Sequence, residues 1–180
     1  MTAVIDRKII KPAITERTGV ARRRLLAMVG ILSLVVGIGA LAGGVFGAAY
    51  TWNQAAAENI TTPDDAVFPE VPVRGPFSMY AQSAIITHHQ LDSTGGLRYA
   101  EMDREVAQLD EAGTPILDDA GEPVMIPNAA RASWLNATAL TTALNQGLMA
   151  YALAAFAMVI GITLALSGVT FLSLRKALIA

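Results

Sequence analysis

Two long apolar blocks stand out in an otherwise polar chain, residues 25–50 and residues 147–174. Neither block contains Asp, Glu, Lys, Arg or His. About 20 apolar residues in helical conformation are enough to cross the hydrocarbon core of a bilayer. The pattern therefore predicts two transmembrane helices. The alternative for the first block is a cleaved signal peptide, but the apolar part of such a peptide spans only about 7–15 residues.

The polar stretch between the blocks, residues 51–146, carries helical patterns of its own. Proline suits a first helical turn, so the chain from Pro76 to about Leu91 is predicted to be helical and to end before Gly95 and Gly96. Its expected packing face repeats every 3.6 residues: Phe77, Tyr80, Ala81, Ala84, His88 and Leu91. A second short helix is expected over residues 98–109. A third and much longer helix, capped by Asn128, is expected from about residue 129 to residue 176.

Residues 110–125 contain a small internal repeat, "DEAGTPIL" followed at once by "DDAGEPVM". Each unit has an acidic residue and a glycine at the two ends of four residues, which favours a type I turn. A β-prone run follows the proline of each unit. The repeat predicts two turns and short strands over residues 110–126, and a mobile acidic loop is the alternative. The fold class predicted for the whole chain is a mainly α membrane protein with a small, mostly helical outer domain.

Basic residues indicate how the chain is oriented in a membrane. Seven precede the first span, in a basic arm formed by residues 1–24, and two lie in the tail of residues 175–180. The connecting stretch 51–146 has only four, against thirteen acidic residues, which gives a formal charge of −9. The positive-inside rule therefore places both termini in the cytoplasm and residues 51–146 outside the plasma membrane. The arm is expected to be flexible or to order on a partner, and the acidic region would repel nucleic acid.

The first apolar block carries glycines at a spacing of four, Gly39, Gly43 and Gly47. Small residues at this spacing let membrane helices approach closely. The second block offers a matching set, Ala157, Gly161 and Ala165. We therefore predict that the two spans pack through small-residue faces. The glycine stripe can pack within one chain or against a neighbouring subunit, and the sequence leaves both options open.

Residues that carry chemistry are few. There is no cysteine, and no nucleotide-binding or nucleophile motif. His88 and His89 are adjacent on a predicted helix and point about 100° apart, so they are poorly placed to share a metal. His88 is expected to be a half-buried packing residue. The spans contain no ionisable residue, the usual mark of an ion path. The sequence predicts no catalytic residue and no directly bound cofactor or metal.

Several segments resemble a known family: "AENITTPDDAVF", "PFSMYAQSAIITHHQLDSTGGLRYAEMDRE" and "RASWLNATALTTALNQG". The family comprises two-span actinobacterial membrane proteins that often carry the label "aromatic ring-opening dioxygenase LigA". The resemblance covers roughly residues 55–105 and 131–172, and the acidic repeat departs from it. An iron dioxygenase would need a set of converging ligands that this sequence does not supply. Similar small membrane proteins are accessory subunits of the supercomplex that joins cytochrome bcc to cytochrome c oxidase.

Two hypotheses follow. The first is a non-catalytic accessory subunit of a larger membrane complex, the actinobacterial respiratory supercomplex being favoured, with haem and copper only in the partner subunits. Its partners would be integral membrane subunits and lipids. Its expected partner contacts are acidic: Asp64, Asp65, Glu101, Asp103 and Glu105. The second hypothesis is a self-associating envelope scaffold or sensor, dimerised through the glycine stripe.

Overall fold

The chain is mainly helical, as predicted. A computed structural model describes residues 7–177, with side chains from residue 19 onward. Its elements, in chain order, are α1 (Arg7–Ala57), α2 (Pro76–Ser93), a 3-10 turn (Tyr99–Glu101), β1 (Glu105–Ala107), β2 (Met125–Pro127) and α3 (Ala129–Ala177). The contacts divide the chain into two units. We call residues 7–49 with 152–177 the helix pair, and Tyr50–Tyr151 the connecting unit.

The helix pair is built from the two apolar blocks. Among the described residues, two helical segments are long and apolar enough to cross a membrane, Gly19–Ala57 of α1 and Ala129–Ala177, which is α3. Only 11% and 17% of their most apolar windows are buried within the chain, so apolar side chains cover most of their outer surface. α1 begins at Arg7 rather than at the block, so residues 7–24 continue the helix instead of forming a separate arm. Residues 1–6 of that arm lie outside the described part of the chain. α3 ends just past Arg175 and Lys176, whose charges suit a helix C-terminus.

In the connecting unit, α2 begins where the sequence predicted. Pro76 follows the N-cap Gly75, and the Ser78 hydroxyl accepts hydrogen bonds from the backbone N–H groups of Arg74 and Gly75 at 3.1 and 3.2 Å. The helix ends at Ser93, and Gly95 and Gly96 then take left-handed conformations with φ of 60° and 85°.

The packing face of α2 differs from the predicted one. Its buried residues are Met79, Ala81, Ser83 and Ile85. Of the residues predicted for that face, Ala81 is buried, whereas Ala84 is exposed and Phe77 and Tyr80 are 76% and 61% exposed. The reason is polar pairing with α3, which a purely apolar pattern does not reveal. Ser83 donates a hydrogen bond to Asn145 at 3.3 Å, and Gln90 donates one to Ser133 at 2.6 Å.

A small core holds α2 against the parts of α1 and α3 that belong to the same unit. Val73, Met79 and Leu144 are its buried members. Met79 fits because residue 147 is glycine, since an added Cβ there would lie 2.7 Å from the Met79 sulfur. The Tyr151 hydroxyl donates a 2.6 Å hydrogen bond to the Arg74 carbonyl. This bond links the loop that precedes α2 to α3.

The predicted second short helix over 98–109 is wrong. The chain there makes one 3-10 turn and then β1, which pairs antiparallel with β2 so that Val106 lies opposite Ile126. Side chains of α3 donate hydrogen bonds to backbone carbonyls that would accept hydrogen bonds from backbone N–H groups in a helix. The Trp134 indole N–H donates to the Leu97 carbonyl at 2.9 Å, and the Arg131 Nε–H donates to the Tyr99 carbonyl at 3.2 Å. The predicted cap of α3 is confirmed, because the Asn128 side-chain oxygen accepts from the Arg131 N–H at 3.2 Å.

Candidate interaction surfaces

Within the helix pair, α1 and α3 meet through glycines that are seven residues apart. On α1 these are Gly30, Gly37 and Gly44, and all three are buried. A Cβ added to Gly37 would lie 2.5 Å from the Ala165 backbone nitrogen and 2.7 Å from the Gly161 carbonyl oxygen. A Cβ on Gly161 would lie 2.5 Å from the Leu41 nitrogen. Backbone touches backbone here, so no other residue type fits at these two positions without a shift of the helices.

The same close approach of the two backbones recurs on both sides of Gly37 along the contact between α1 and α3. A Cβ on Gly30 would lie 3.1 Å from the Gly168 carbonyl oxygen, and one on Gly44 would lie 2.6 Å from the Ala154 carbonyl oxygen. The α3 partners, Ala154, Gly161 and Gly168, are also seven residues apart and run in the opposite direction. A seven-residue repeat stays on one side of a slightly supercoiled helix. We call these six residues the glycine ladder.

The predicted stripe lies only partly in this contact. Gly161 and Ala165 belong to it, and Ala157 is half-buried. At Gly39 and Gly43, however, an added Cβ would meet nothing within 4 Å, and at Gly47 it would reach only the Ala154 Cβ at 3.9 Å. Packing within the chain therefore does not use Gly39 and Gly43. The physical reason is that residues four apart drift around the helix, whereas residues seven apart do not. Packing of Gly39 and Gly43 against a neighbour stays a prediction. We call these two positions the open glycine face.

In the connecting unit, the acidic repeat forms the two predicted turns. The Asp110 carboxylate accepts hydrogen bonds from the N–H groups of Ala112 and Thr114, both at 2.9 Å. Asp118 makes the equivalent pair with Ala120 and Glu122 at 2.9 and 3.0 Å. Gly113 and Gly121 close the turns with φ of 79° and 85°, a conformation that favours glycine.

A closed ring of three backbone hydrogen bonds joins the repeats. Gln108 donates to Val124, Val124 donates to Ile116, and Ile116 donates to Gln108, each at 2.8 Å. The three residues are eight apart, the length of the repeat. Each is followed by a large apolar residue that is more than half exposed: Leu109 at 56%, Leu117 at 56% and Met125 at 53%. We call these three residues with the two acidic turns the repeat tip.

The five acidic residues predicted to contact a partner are all exposed, but two of them have roles within the chain. The Asp65 carboxylate lies 2.6 Å from His89 Nε2, and this hydrogen bond lowers the pKa of Asp65 from its ordinary value of 3.8. Glu101 accepts a 2.7 Å hydrogen bond from the Arg98 N–H and caps the 3-10 turn. The five acidic residues lie in two separate segments of the chain. Asp64 and Asp65 lie in the loop before α2, and the other three lie at residues 101–105.

The two histidines pair with carboxylates rather than with each other. His88 lies 3.3 Å from Asp92, one helical turn along α2, and His89 bonds Asp65 in the preceding loop. The side chain of His88 is 65% exposed, so the expectation that it is half-buried is wrong. Over the described residues, no group of three or more His, Cys, Asp or Glu side chains is placed to hold a metal.

Comparison of this chain with known proteins identifies no relative. No family model, no curated protein and no solved structure matches the chain. The family resemblance noted in the sequence therefore stays a prediction.

Proposed function

We propose that this chain is a non-catalytic accessory subunit of a larger membrane complex. In this proposal α1 and α3 span the plasma membrane, both termini lie in the cytoplasm, and the connecting unit lies outside. Two apolar helices joined by the glycine ladder support the membrane part of the proposal. The distribution of basic residues supports the orientation.

The observation that carries the docking role is the repeat tip. Leu109, Leu117 and Met125 each directly follow a residue of one hydrogen-bonded backbone ring, and all three are more than half exposed in a unit that the proposal places in water. Burying an apolar side chain of this size against a partner is favourable by about 1.5–3 kcal/mol. Exposed apolar residues that recur at equivalent positions of a repeat are candidates for a protein–protein contact.

The negative charge of the repeat tip favours a partner protein with a basic surface. Five carboxylates lie in the two turns, and no basic residue occurs between Arg104 and Arg131. Acidic turns beside an apolar centre fit a partner with an apolar depression edged by Lys or Arg. The same charge would repel nucleic acid and anionic lipid headgroups, so we take the partner to be a protein.

The finer assignment of the partner rests on the family resemblance. It makes the integral membrane subunits of the cytochrome bcc–cytochrome c oxidase supercomplex the first candidates. Haem and copper would then belong to those subunits, and electron transfer from menaquinol to oxygen would be carried out by them.

The test is a pull-down of the tagged full chain from its native membrane in mild detergent. The visible spectrum and the mass-spectrometric subunit list are recorded together. Haem absorbance with near-stoichiometric cytochrome subunits is the expected result. A colourless product that contains only this chain would contradict the accessory role.

A matched pair of variants assigns the docking surface. Leu109→Ser combined with Leu117→Ser removes the apolar centre of the repeat tip, and we expect partner recovery to fall by roughly tenfold or more. Val67→Ser removes an apolar side chain elsewhere in the connecting unit that is more exposed, at 72%, and recovery should be unchanged. Equal recovery with both variants would exclude the repeat tip as the contact.

The open glycine face favours a second candidate, a self-associating envelope scaffold or sensor. Space around Gly39 and Gly43 lets a second helix approach closely. This candidate predicts a colourless homodimer that Gly43→Leu converts to a monomer in gently solubilised membranes. A monomer for both the natural chain and the variant would exclude it.

A further inference from the structure

An aromatic groove lies in the connecting unit, beside the start of α2. It has a volume of about 280 Å³, and its lining includes Trp52 of α1, Phe77 of α2, and Phe68, Val71 and Pro72 of the loop between them. The three aromatic side chains are open to their surroundings, with Phe77 76%, Trp52 48% and Phe68 42% exposed. An exposed apolar groove of this kind favours an apolar occupant.

Contacts within the connecting unit place this groove where the two apolar blocks end. Trp52 lies two residues after the first block, and a Cβ added to Gly75 would lie 3.5 Å from the Trp52 ring. The neighbouring Arg74 carbonyl accepts the hydrogen bond from Tyr151, which lies four residues past the start of the second block. The loop that lines the groove is therefore level with the ends of both blocks.

The repeat tip, in contrast, lies close to the other end of this part of α3. β2 ends at Pro127, shortly before α3 begins at Ala129. Residues 129–146 of α3 then precede the second apolar block, and at 1.5 Å per residue they span about 27 Å. The aromatic groove and the repeat tip are thus at very different distances from the apolar blocks.

The backbone N–H groups of the groove loop are paired without the help of water. Residues 69, 72 and 76 are proline, which has no backbone N–H. The other five residues of the segment 69–76 donate their N–H groups to Ile60, Thr62 or Ser78 at 2.9–3.2 Å. Irregular backbone is tolerated next to lipid only where its polar groups are paired within the protein. The loop meets that condition for every N–H of this segment.

We propose that this groove lies in the interface of the outer leaflet and holds the acyl chain of a phospholipid against Trp52, Phe68 and Phe77. The inference rests on the membrane embedding in the proposed function. Aromatic side chains at the ends of membrane helices concentrate at this depth. Glu70 and Arg74 are the charged residues of the segment 69–76, and both keep part of their surface exposed, so their charges can stay hydrated among the headgroups.

The test uses spin labels on the full chain, reconstituted in vesicles of phosphatidylcholine and phosphatidylglycerol. The chain has no cysteine, so one introduced cysteine gives one labelled position. At Phe77→Cys we expect collisions with dissolved oxygen to exceed those with a water-soluble nickel complex severalfold. The matched control is Leu117→Cys at the repeat tip, which is 56% exposed and should show the reverse order. Equal nickel access at both positions would overturn the proposal.

A second measurement leaves the lining of the groove intact. Trp134→Phe keeps Trp52 as the only tryptophan, and Trp52→Phe, the control, keeps Trp134. Brominated phosphatidylcholine should quench at least half of the Trp52 emission. It should quench little of the Trp134 emission, because Trp134 is buried and lies 13 residues before the second block. An unquenched Trp52, or equal quenching of both tryptophans, would contradict the bound acyl chain.

A label at Val36→Cys, inside the first block, separates this proposal from the proposed function. Oxygen access at position 36 with nickel access at position 77 contradicts the lipid groove alone. Nickel access at both positions contradicts membrane embedding as well. Low access of both reagents at position 77 would mean that protein covers the groove, and it would also overturn the proposal. A failed pull-down of partner subunits leaves these results unaffected, because they use the isolated chain.

Discussion

Two sets of glycines on α1 look equivalent in the sequence and differ completely in their surroundings. Gly30, Gly37 and Gly44 lie against the backbone of α3, with no room for a Cβ. Gly39 and Gly43, on the same helix, meet nothing within 4 Å. The glycines of the first set are seven residues apart, which is the spacing of a supercoiled helix pair. The glycines of the second set are four residues apart, which suits two helices that cross over a short contact.

The difference shows that glycine content alone does not identify a contact within the chain. What matters is whether the partner helix repeats small residues in the same phase over the whole crossing. α3 does so with Ala154, Gly161 and Gly168, which match the α1 set in reverse order. The open glycine face has no such partner among the described residues, and it remains available to another helix.

The largest difference between the two sets should appear when a bulky residue replaces one glycine of each. Gly37→Leu should destabilise the helix pair by about 3 kcal/mol or more, since its side chain would enter the backbone of α3. Gly43→Leu should leave the free energy of unfolding within about 0.5 kcal/mol of the natural value. Titration of the purified chain with dodecyl sulfate in mixed micelles, followed by circular dichroism, measures both. Similar values for the two variants would refute the ladder.

Alanine substitutions should change the stability of the helix pair in opposite directions at the two sets of glycines. Gly37→Ala puts a Cβ 2.5 Å from a backbone nitrogen, and we expect a loss of about 1–3 kcal/mol. Gly30→Ala should cost less, because its nearest backbone atom, the Gly168 carbonyl oxygen, is 3.1 Å away and the closer Leu172 Cγ, at 2.9 Å, belongs to a side chain. Gly39→Ala should be neutral or slightly stabilising, since alanine favours a helix and no neighbour opposes it. The same titration reports all three, and a stabilising Gly37→Ala would contradict the account.

A third kind of glycine is required by its backbone conformation and not by a close neighbour. Gly121 has a φ of 85° and open surroundings. Gly121→Ala should cost about 1–2 kcal/mol locally, because an L side chain disfavours that conformation. Hydrogen exchange at the Val124 amide, a member of the backbone ring, should become faster. Gly75→Ala is the control, since its backbone is extended and its Cβ would make an ordinary 3.5 Å contact with Trp52.

The smallest effect concerns a polar contact outside both glycine faces. The hydrogen bond from His89 lowers the pKa of Asp65 below 3.8, so its stabilising contribution is present above that pH and is lost as the pH falls through the lowered value. Amide exchange in residues 61–72 should therefore accelerate in acid. Asp65→Asn should remove this step, whereas Asp64→Asn should keep it. An unchanged acid response in Asp65→Asn would exclude the contact as its cause.

Much of the fold could be predicted from local signals. Pro76 and Asn128 mark the starts of α2 and α3, and the Asp-to-Gly units of the repeat mark its turns. Long-range polar pairing could not be predicted in this way. Ser83 and Gln90 face α3 because they hydrogen-bond to Asn145 and Ser133. Arg131 of α3 donates to the Tyr99 carbonyl inside the stretch that was predicted to be helical.

The interaction surfaces were harder to predict than the fold. The seven-residue ladder was present in the sequence, but the denser four-residue pattern of Gly39, Gly43 and Gly47 obscured it. The repeat tip depends on a backbone ring between residues eight apart, and pairing between short strands has little local signature. A search for i, i+7 small residues in opposed order on two apolar helices would have found the ladder from sequence alone.

The most direct test of the docking role is site-specific photo-cross-linking in the native membrane. A photoreactive amino acid replaces Leu117 at the repeat tip in one strain and Val67 in another, both exposed apolar positions of the connecting unit. The account predicts a covalent adduct with another polypeptide from position 117 and none from position 67. No adduct from position 117, or equal adducts from both positions, would contradict it.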